Sequence, residues 1–297
     1  MQQANWYSKK RTWFFLVLIL YVFVLQLEWA KMRYNPNELL SDLKQKHHLD
    51  ASLGTKQIGE LRIQYLSIKE NPNLDLLVLV HGSPGSLTAY ENYYTDQSIL
   101  ENFQIISVDR LGFGYSSFGK SESSLVTHAK AIAGILEAYP NQKKIIVGHS
   151  MGGAIIAKLA MNFPELTDGL VMVAPSISPF LEPSNTWRKI LDFLPFRILS
   201  PSALRVCNQE IIPLKEELSL MLGDWANIKV PVSLIQGKED NLVPQGNADF
   251  AKQMLTNSPS VSIRKITGNH FILWSEIELI KQEIFQLAKN LKELKKH

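Results

Sequence analysis

Gly148-His149-Ser150-Met151-Gly152, followed by Gly153, sets a serine between glycines two places before and after it. That spacing suits a sharp strand-to-helix turn, where a strained serine backbone needs small neighbours to avoid clashes. A hydroxyl lifted out of such a turn is a nucleophile. It requires a base to take its proton and two preorganised N–H donors for the oxyanion that forms on an attacked carbonyl. One donor is expected from Met151, at the start of the following helix. The other is expected from His81-Gly82-Ser83-Pro84-Gly85. Pro84 has no N–H, which leaves the backbone of Ser83. His81 reads as a residue that orders this loop. For each stretch the plainer alternative is a glycine turn with no part in chemistry.

The elements needed to present these groups are written along the chain. Leu74–Val80, Phe103–Val108, Lys144–Val147, Leu170–Ala174, Val230–Ile235 and Val261–Ile266 are short apolar runs. Each suits a strand buried on both faces. Ile58 to Ile68 forms an earlier β-rich segment. Helical patterns lie near 88–100, 122–138, 151–163 and 245–256, and an amphipathic helix from Glu276 to Lys296 closes the chain. The alternation predicts a mainly parallel sheet with helices on both faces. Residues 176–226 break it: they carry Pro179, Pro183, Pro195, Pro201 and Pro213 but no buried strand. The stretch is too long for an ordinary connection, and reads as a small helical cap over the strand ends. Its aromatics, Phe180, Trp187, Phe193, Phe196 and Trp225, are candidates for an apolar acyl pocket.

His81-Gly82 with Gly85, the run Asp109-Arg110-Leu111-Gly112-Phe113-Gly114-Tyr115-Ser116, Gly148–Gly153, Asp240 ahead of Pro244, and Gly268-Asn269-His270 follow one another as they do in α/β-hydrolases. Over about residues 58–290 the chain resembles one branch of that superfamily. The branch holds small esterases, carbon–carbon bond hydrolases, proline iminopeptidases and epoxide hydrolases. The resemblance implies an α/β-hydrolase fold with a small helical cap and the chain order nucleophile, acid, histidine. It matches Asp240 to the acid, with Glu239 as the adjacent alternative, and His270 to the base. His47, His48 and His297 fall outside the core, His128 lies in a predicted helix, and His149 cannot easily face Ser150. Asp109 is implied to pack its loop. Epoxide hydrolases and haloalkane dehalogenases carry Asp where this chain has Ser150, which argues against both activities. Proline iminopeptidases usually have Gly-Gly-Ser-Trp-Gly, which this chain lacks.

The expected chemistry is hydrolysis of a small or lipid-like carboxylic ester through an acyl-enzyme, with no cofactor and no metal. Carbon–carbon or amide hydrolysis on the same three residues is the alternative. A non-catalytic binding protein on a retained fold is the reading of another class, and the full set of site residues speaks against it. The chain has 297 residues, 45% hydrophobic and 20% charged, with net charge +3 spread along it. Nothing in that pattern calls for nucleic acid. The single cysteine, Cys207, cannot form an intrachain disulfide and reads as packing. Lys9, Lys10 and Arg11 precede an apolar run from Trp13 to Leu25, flanked by Trp6, Tyr7, Trp29 and Tyr34. Residues 1–34 are therefore expected to be a membrane anchor that leaves the catalytic domain outside the cytoplasm, or a signal peptide cleaved near Ala30. The expected organisation continues with a stalk at 35–57, a core at 58–175 and 227–297, and the cap at 176–226. The sequence leaves the oligomeric state open.

Overall fold

The computed structural model describes residues 2–25, 27, 31–193 and 196–293. In chain order the elements are α1 (Gln2–Val24), α2 (Pro36–Lys46), β1 (Ala51–Ile58), β2 (Leu61–Ile68), β3 (Asp75–Val80), α3 (Glu91–Tyr94), α4 (Gln97–Asn102) and β4 (Phe103–Asp109). There follow α5 (Leu125–Leu136), β5 (Lys144–His149), α6 (Met151–Asn162) and β6 (Gly169–Val173). After β6 come α7 (Thr186–Leu191), α8 (Phe196–Leu199), α9 (Ser202–Ile211) and α10 (Leu214–Leu220). The chain ends through β7 (Val232–Gly237), α11 (Gly246–Met254), β8 (Val261–Ile266), α12 (Ile272–Ser275) and α13 (Ile277–Glu293).

The eight strands form one sheet in the order β1-β2-β4-β3-β5-β6-β7-β8. Strands β3 to β8 run parallel, and β2 is antiparallel to both β1 and β4. Alternate side chains of one strand feed opposite faces. In β3, Leu76, Val78 and Val80 join the core beneath α5, α6 and α11, while Leu77 and Leu79 join the core beneath α3, α4 and α13. All five are fully buried. Strand β5 lies between β3 and β6, so its C-terminal end opens at the middle of the sheet.

Residues 35–57 are not a stalk. The Asn35 side chain caps α2 by accepting from Asn37 N and Glu38 N, and Leu43 of that helix is buried in the core. Strand β1 pairs with β2 along its whole length, from Ala51 against Ile68 to Ile58 against Leu61. It is an edge strand with only half-buried apolar side chains, and its polar residues disguise it as a linker.

The N-terminal expectation also changes. Among the described residues no helix is long and apolar enough to cross a membrane. The apolar stretch of α1 starts only after Lys9-Lys10-Arg11 and falls short of the ~20 residues of a span. Its residues from Trp13 to Phe23 are largely exposed. Trp29 and Ala30 lie outside the described residues.

Between β6 and β7 the chain leaves the sheet as α7 to α10 and a short 3₁₀ turn at Leu222–Asn227. Among the contacts that fasten this excursion, three stand out. Ala203, Val206 and Cys207 of α9 pack on Phe113. Trp225 is buried edge-on against Phe250 of α11, ring centroids 5.5 Å apart. The third is a buried ion pair, described below. Burial raises the Cys207 thiol above its usual range, so the side chain acts as packing.

Candidate active site

Ser150 sits between β5 and α6 with φ 55° and ψ −122°, a left-handed backbone that a non-glycine residue takes only when its surroundings enforce it. The enforcement is visible. Ser150 N donates to Val173 O of β6 at 3.0 Å, and Ser150 O accepts from Gly153 N at 2.9 Å and Ser176 N at 3.2 Å. A Cβ on Gly152 would lie 2.4 Å from Val80 O, and one on Gly148 would lie 2.5 Å from Gly152 O. Neither position has room for a side chain. The turn sets Met151 as the first residue of α6, so its backbone N–H lies among the unpaired donors at the positive end of that helix.

The loop after β3 lies against this turn. A Cβ on Gly82 would stand 3.0 Å from Ser150 Cβ, so Ser83 follows directly beside the serine. Ser83 Oγ is buried beside the Cys207 thiol of the cap. His81 is fully buried beneath the loop. Its Nδ1 lies 2.7 Å from Gly82 O, and its Nε2 accepts from Arg110 N at 3.0 Å. Those partners fix a neutral ring with the proton on Nδ1. Burial, and then the Arg110 charge, push the His81 pKa well below the usual imidazole range.

On the other side, Asp240 follows β7 and His270 follows β8. His270 Nδ1 is 2.8 Å from Asp240 Oδ2. That oxygen also accepts from Gln236 Nε2 at 3.1 Å, while Oδ1 accepts from Leu242 N at 2.9 Å and Val243 N at 2.8 Å. Four donors lock the carboxylate in place. Glu239 instead bonds Gly268 N from an exposed position and closes its own loop. Asp109 accepts from Leu87 N, Tyr115 N and the Tyr34 hydroxyl at 2.8, 2.9 and 2.9 Å. Its carboxyl, raised to about 6 by burial, ties three segments together.

Ser150, Met151, Ser83 and His270 border one cavity of about 690 Å³. Asp240 stands behind His270. A nucleophile, a base held by a carboxylate, and two backbone donors around one chamber can perform acyl transfer.

Sequence reasoning missed several residues here. His149 is buried, its Nε2 is 3.1 Å from His270 O, and its ring lies 4.9 Å from the His270 ring and 5.2 Å from Trp274. It braces the loop that carries His270. Arg110 donates to Glu210 of α9 through Nη1 at 3.1 Å and Nη2 at 2.8 Å, and Nη2 also reaches Gly82 O at 3.0 Å. The cap and the loop after β3 thus share one guanidinium. The only sequence clue was an arginine directly after a buried strand, since its partner lies far along the chain. Met32, Arg33 and Tyr34 also line the chamber. The aromatic expectation fails. None of Phe180, Trp187, Phe193, Phe196 or Trp225 borders the cavity; its aromatic walls are Tyr34, Phe271 and Trp274. Trp225 is used to seat the cap, and the other four point outward.

Residues 75–198 match the family model described as alpha/beta hydrolase fold. The chain has the alpha/beta hydrolase fold. Over 98 residues the chain is 29% identical to an uncharacterised protein of Mycobacterium tuberculosis, a match that spans 33% of this chain and only 28% of that protein. A longer match, 24% identical over 275 residues, covers 77% of this chain and 92% of a 2-hydroxy-6-oxononadienedioate/2-hydroxy-6-oxononatrienedioate hydrolase of Burkholderia vietnamiensis. Among solved structures, a bacterial membrane phospholipase A aligns with TM-score 0.61 at 19% identity, covering 95% of this chain and 99% of that one.

Proposed function

We propose that this α/β-hydrolase cleaves a small or lipid-like carboxylic ester through an acyl-enzyme on Ser150, His270 and Asp240. The observation that carries the reading is the pairing of a strained, cavity-facing Ser150 with a His270 whose ring is held by a four-donor carboxylate. His270 takes the Ser150 proton as Oγ attacks the ester carbonyl. The N–H groups of Met151 and Ser83 receive the oxyanion. The proton then passes from His270 to the leaving alcohol, and a water activated by the same ring hydrolyses the acyl-serine. Neutral His81 and His149 add no competing positive charge beside the base.

Carbon–carbon bond hydrolysis is the second reading. The similarity to a dienedioate hydrolase over 77% of this chain favours it. Export of the catalytic body rests on Lys9, Lys10 and Arg11 preceding the apolar stretch, and protease protection in intact cells tests it. For the activity, Ser150→Ala is expected to lose fluorophosphonate labelling and to lower ester turnover by roughly 10⁴-fold with the fold intact. Labelling that survives in the variant refutes the nucleophile. Normal labelling of the parent, with turnover of a dienedioate but of no ester, transfers the proposal to carbon–carbon cleavage.

A further inference from the structure

The mouth of the chamber is ringed by side chains that the hydrolytic chemistry does not use. Leu242 (61% exposed), Phe271 and Trp274 border the cavity and face outward. Pro183 and Arg188 border it from the cap. The cap segment that begins there exposes Trp187, Ile190, Phe193 (70%) and Phe196. Tyr21 of α1 donates its hydroxyl to Leu199 O, which joins the exposed apolar stretch of α1 to the same cap. The chain after α1 then enters the chamber wall at Met32 to Tyr34. One apolar surface thus runs from helix to cap to rim.

Its charge narrows what covers it. Residues 178–205 carry Arg188, Lys189, Arg197 and Arg205 against Glu182 and Asp192. The two acids are engaged: Glu182 accepts from Ser176 Oγ, and Asp192 accepts from Gln209 Nε2. Lys9, Lys10 and Arg11 add basic charge along α1. Aromatic and aliphatic side chains set among cations suit the boundary between acyl chains and anionic headgroups. A second copy of this chain would bring one cationic face against another. Among the described residues no helix is long and apolar enough to span a bilayer, and α1 leaves its apolar residues from Trp13 to Phe23 largely exposed beside the cap.

We propose that the outer cap face, the cavity rim and α1 together dock on an anionic phospholipid bilayer, with the chamber mouth turned to the lipid. The docking does not depend on the triad; only its use, to admit a lipid-like ester, rests on the hydrolase reading.

The test uses the full chain with Cys207 replaced by Ala and an environment-sensitive dye on Phe193→Cys. The control carries the dye on Lys130→Cys, on the exposed side of α5. Vesicles of phosphatidylcholine with added phosphatidylglycerol should blue-shift the dye at 193 and not at 130, and spin-labelled lipid should quench only the former. Joint replacement of Trp187, Ile190 and Phe196 by Ser should weaken vesicle binding roughly 10-fold or more, with hydrolysis of a water-soluble acetyl ester retained. The 193 shift should persist in Ser150→Ala, so docking and catalysis fail separately. An equal response at both positions, no response to vesicles, or a shift that grows with protein concentration alone overturns the proposal. The last result would assign the face to a second copy.

Discussion

Glu210→Gln tests whether the cap is held to the catalytic loop by charge. Arg110 and Glu210 both have fully buried side chains, and two hydrogen bonds join them. The amide keeps the size of the carboxylate but strands a guanidinium that cannot lose its proton. Breaking a buried pair from one side is worth about 3–5 kcal/mol, and little escapes that range here because the other contacts of the guanidinium are a single hydrogen bond to Gly82 O and the face of Phe113. Arg110→Met should be milder, since a carboxyl, unlike a guanidinium, has an accessible neutral form. Joint replacement by Met and Leu should recover most of the loss, because no charge is left buried and Gly82 O keeps its contact with His81. Urea unfolding followed by tryptophan fluorescence gives the stabilities. Steady-state ester kinetics should show kcat down about 10- to 100-fold in Glu210→Gln with KM little changed, because the loop carrying a proposed oxyanion donor loses its tether. A Glu210→Gln protein within 1 kcal/mol of the parent, or a double variant less stable than both singles, would refute this account of the pair.

Further outcomes follow from the site. Asp240→Asn should cut turnover by up to about 10⁴-fold by disfavouring the working tautomer of His270, while Glu239→Gln, which alters only a loop-closing bond, should change it little; equal effects would undo the assignment. Burial holds His128 and His149 at about 3, below the ~6.5 of an unfolded histidine. Their contribution is full above pH 6.5 and is lost as pH falls toward 3, with a slope of about 1.4 kcal/mol per unit for each. Asp109, raised to about 6, acts in the opposite sense between roughly pH 4 and 6. Acid unfolding measured between pH 6.5 and 4 should therefore flatten by about one proton in His128→Asn, and an unchanged slope would contradict the burial argument.

The central strands were legible because a strand covered on both faces must be apolar throughout, and Leu76 to Val80 or Ile145 to Val147 admit no other reading. The turn at Ser150 was legible because glycines at 148 and 152 answer a local clash. Strand β1 was not. Thr55, Lys56 and Gln57 face solvent at the sheet edge, and only pairing with β2 makes them a strand. The helix expected near 88–100 breaks into a 3₁₀ turn, α3 and α4, because Asp96 caps a new start at Ile99 N. Arg110 with Glu210, and His149 beneath His270, join residues that no local pattern relates. The cap aromatics were read as pocket because composition gives hydrophobicity without direction.

Tyr34 alters how separable the N-terminal segment is from the body behind it. Its hydroxyl donates to Asp109 and accepts from Gln64 at 2.7 Å, and its carbonyl accepts from the Tyr115 hydroxyl at 2.8 Å. With Met32 and Arg33 it is also wall of the chamber. The segment ahead of Tyr34 consequently cannot be exchanged at that residue without touching the body. A junction placed at Tyr34 would open the chamber wall and strip a buried carboxyl of one of its three donors, whereas one placed ahead of Met32 would leave both intact. The wall of the cavity and the tie between three segments of the core are coupled at that one tyrosine.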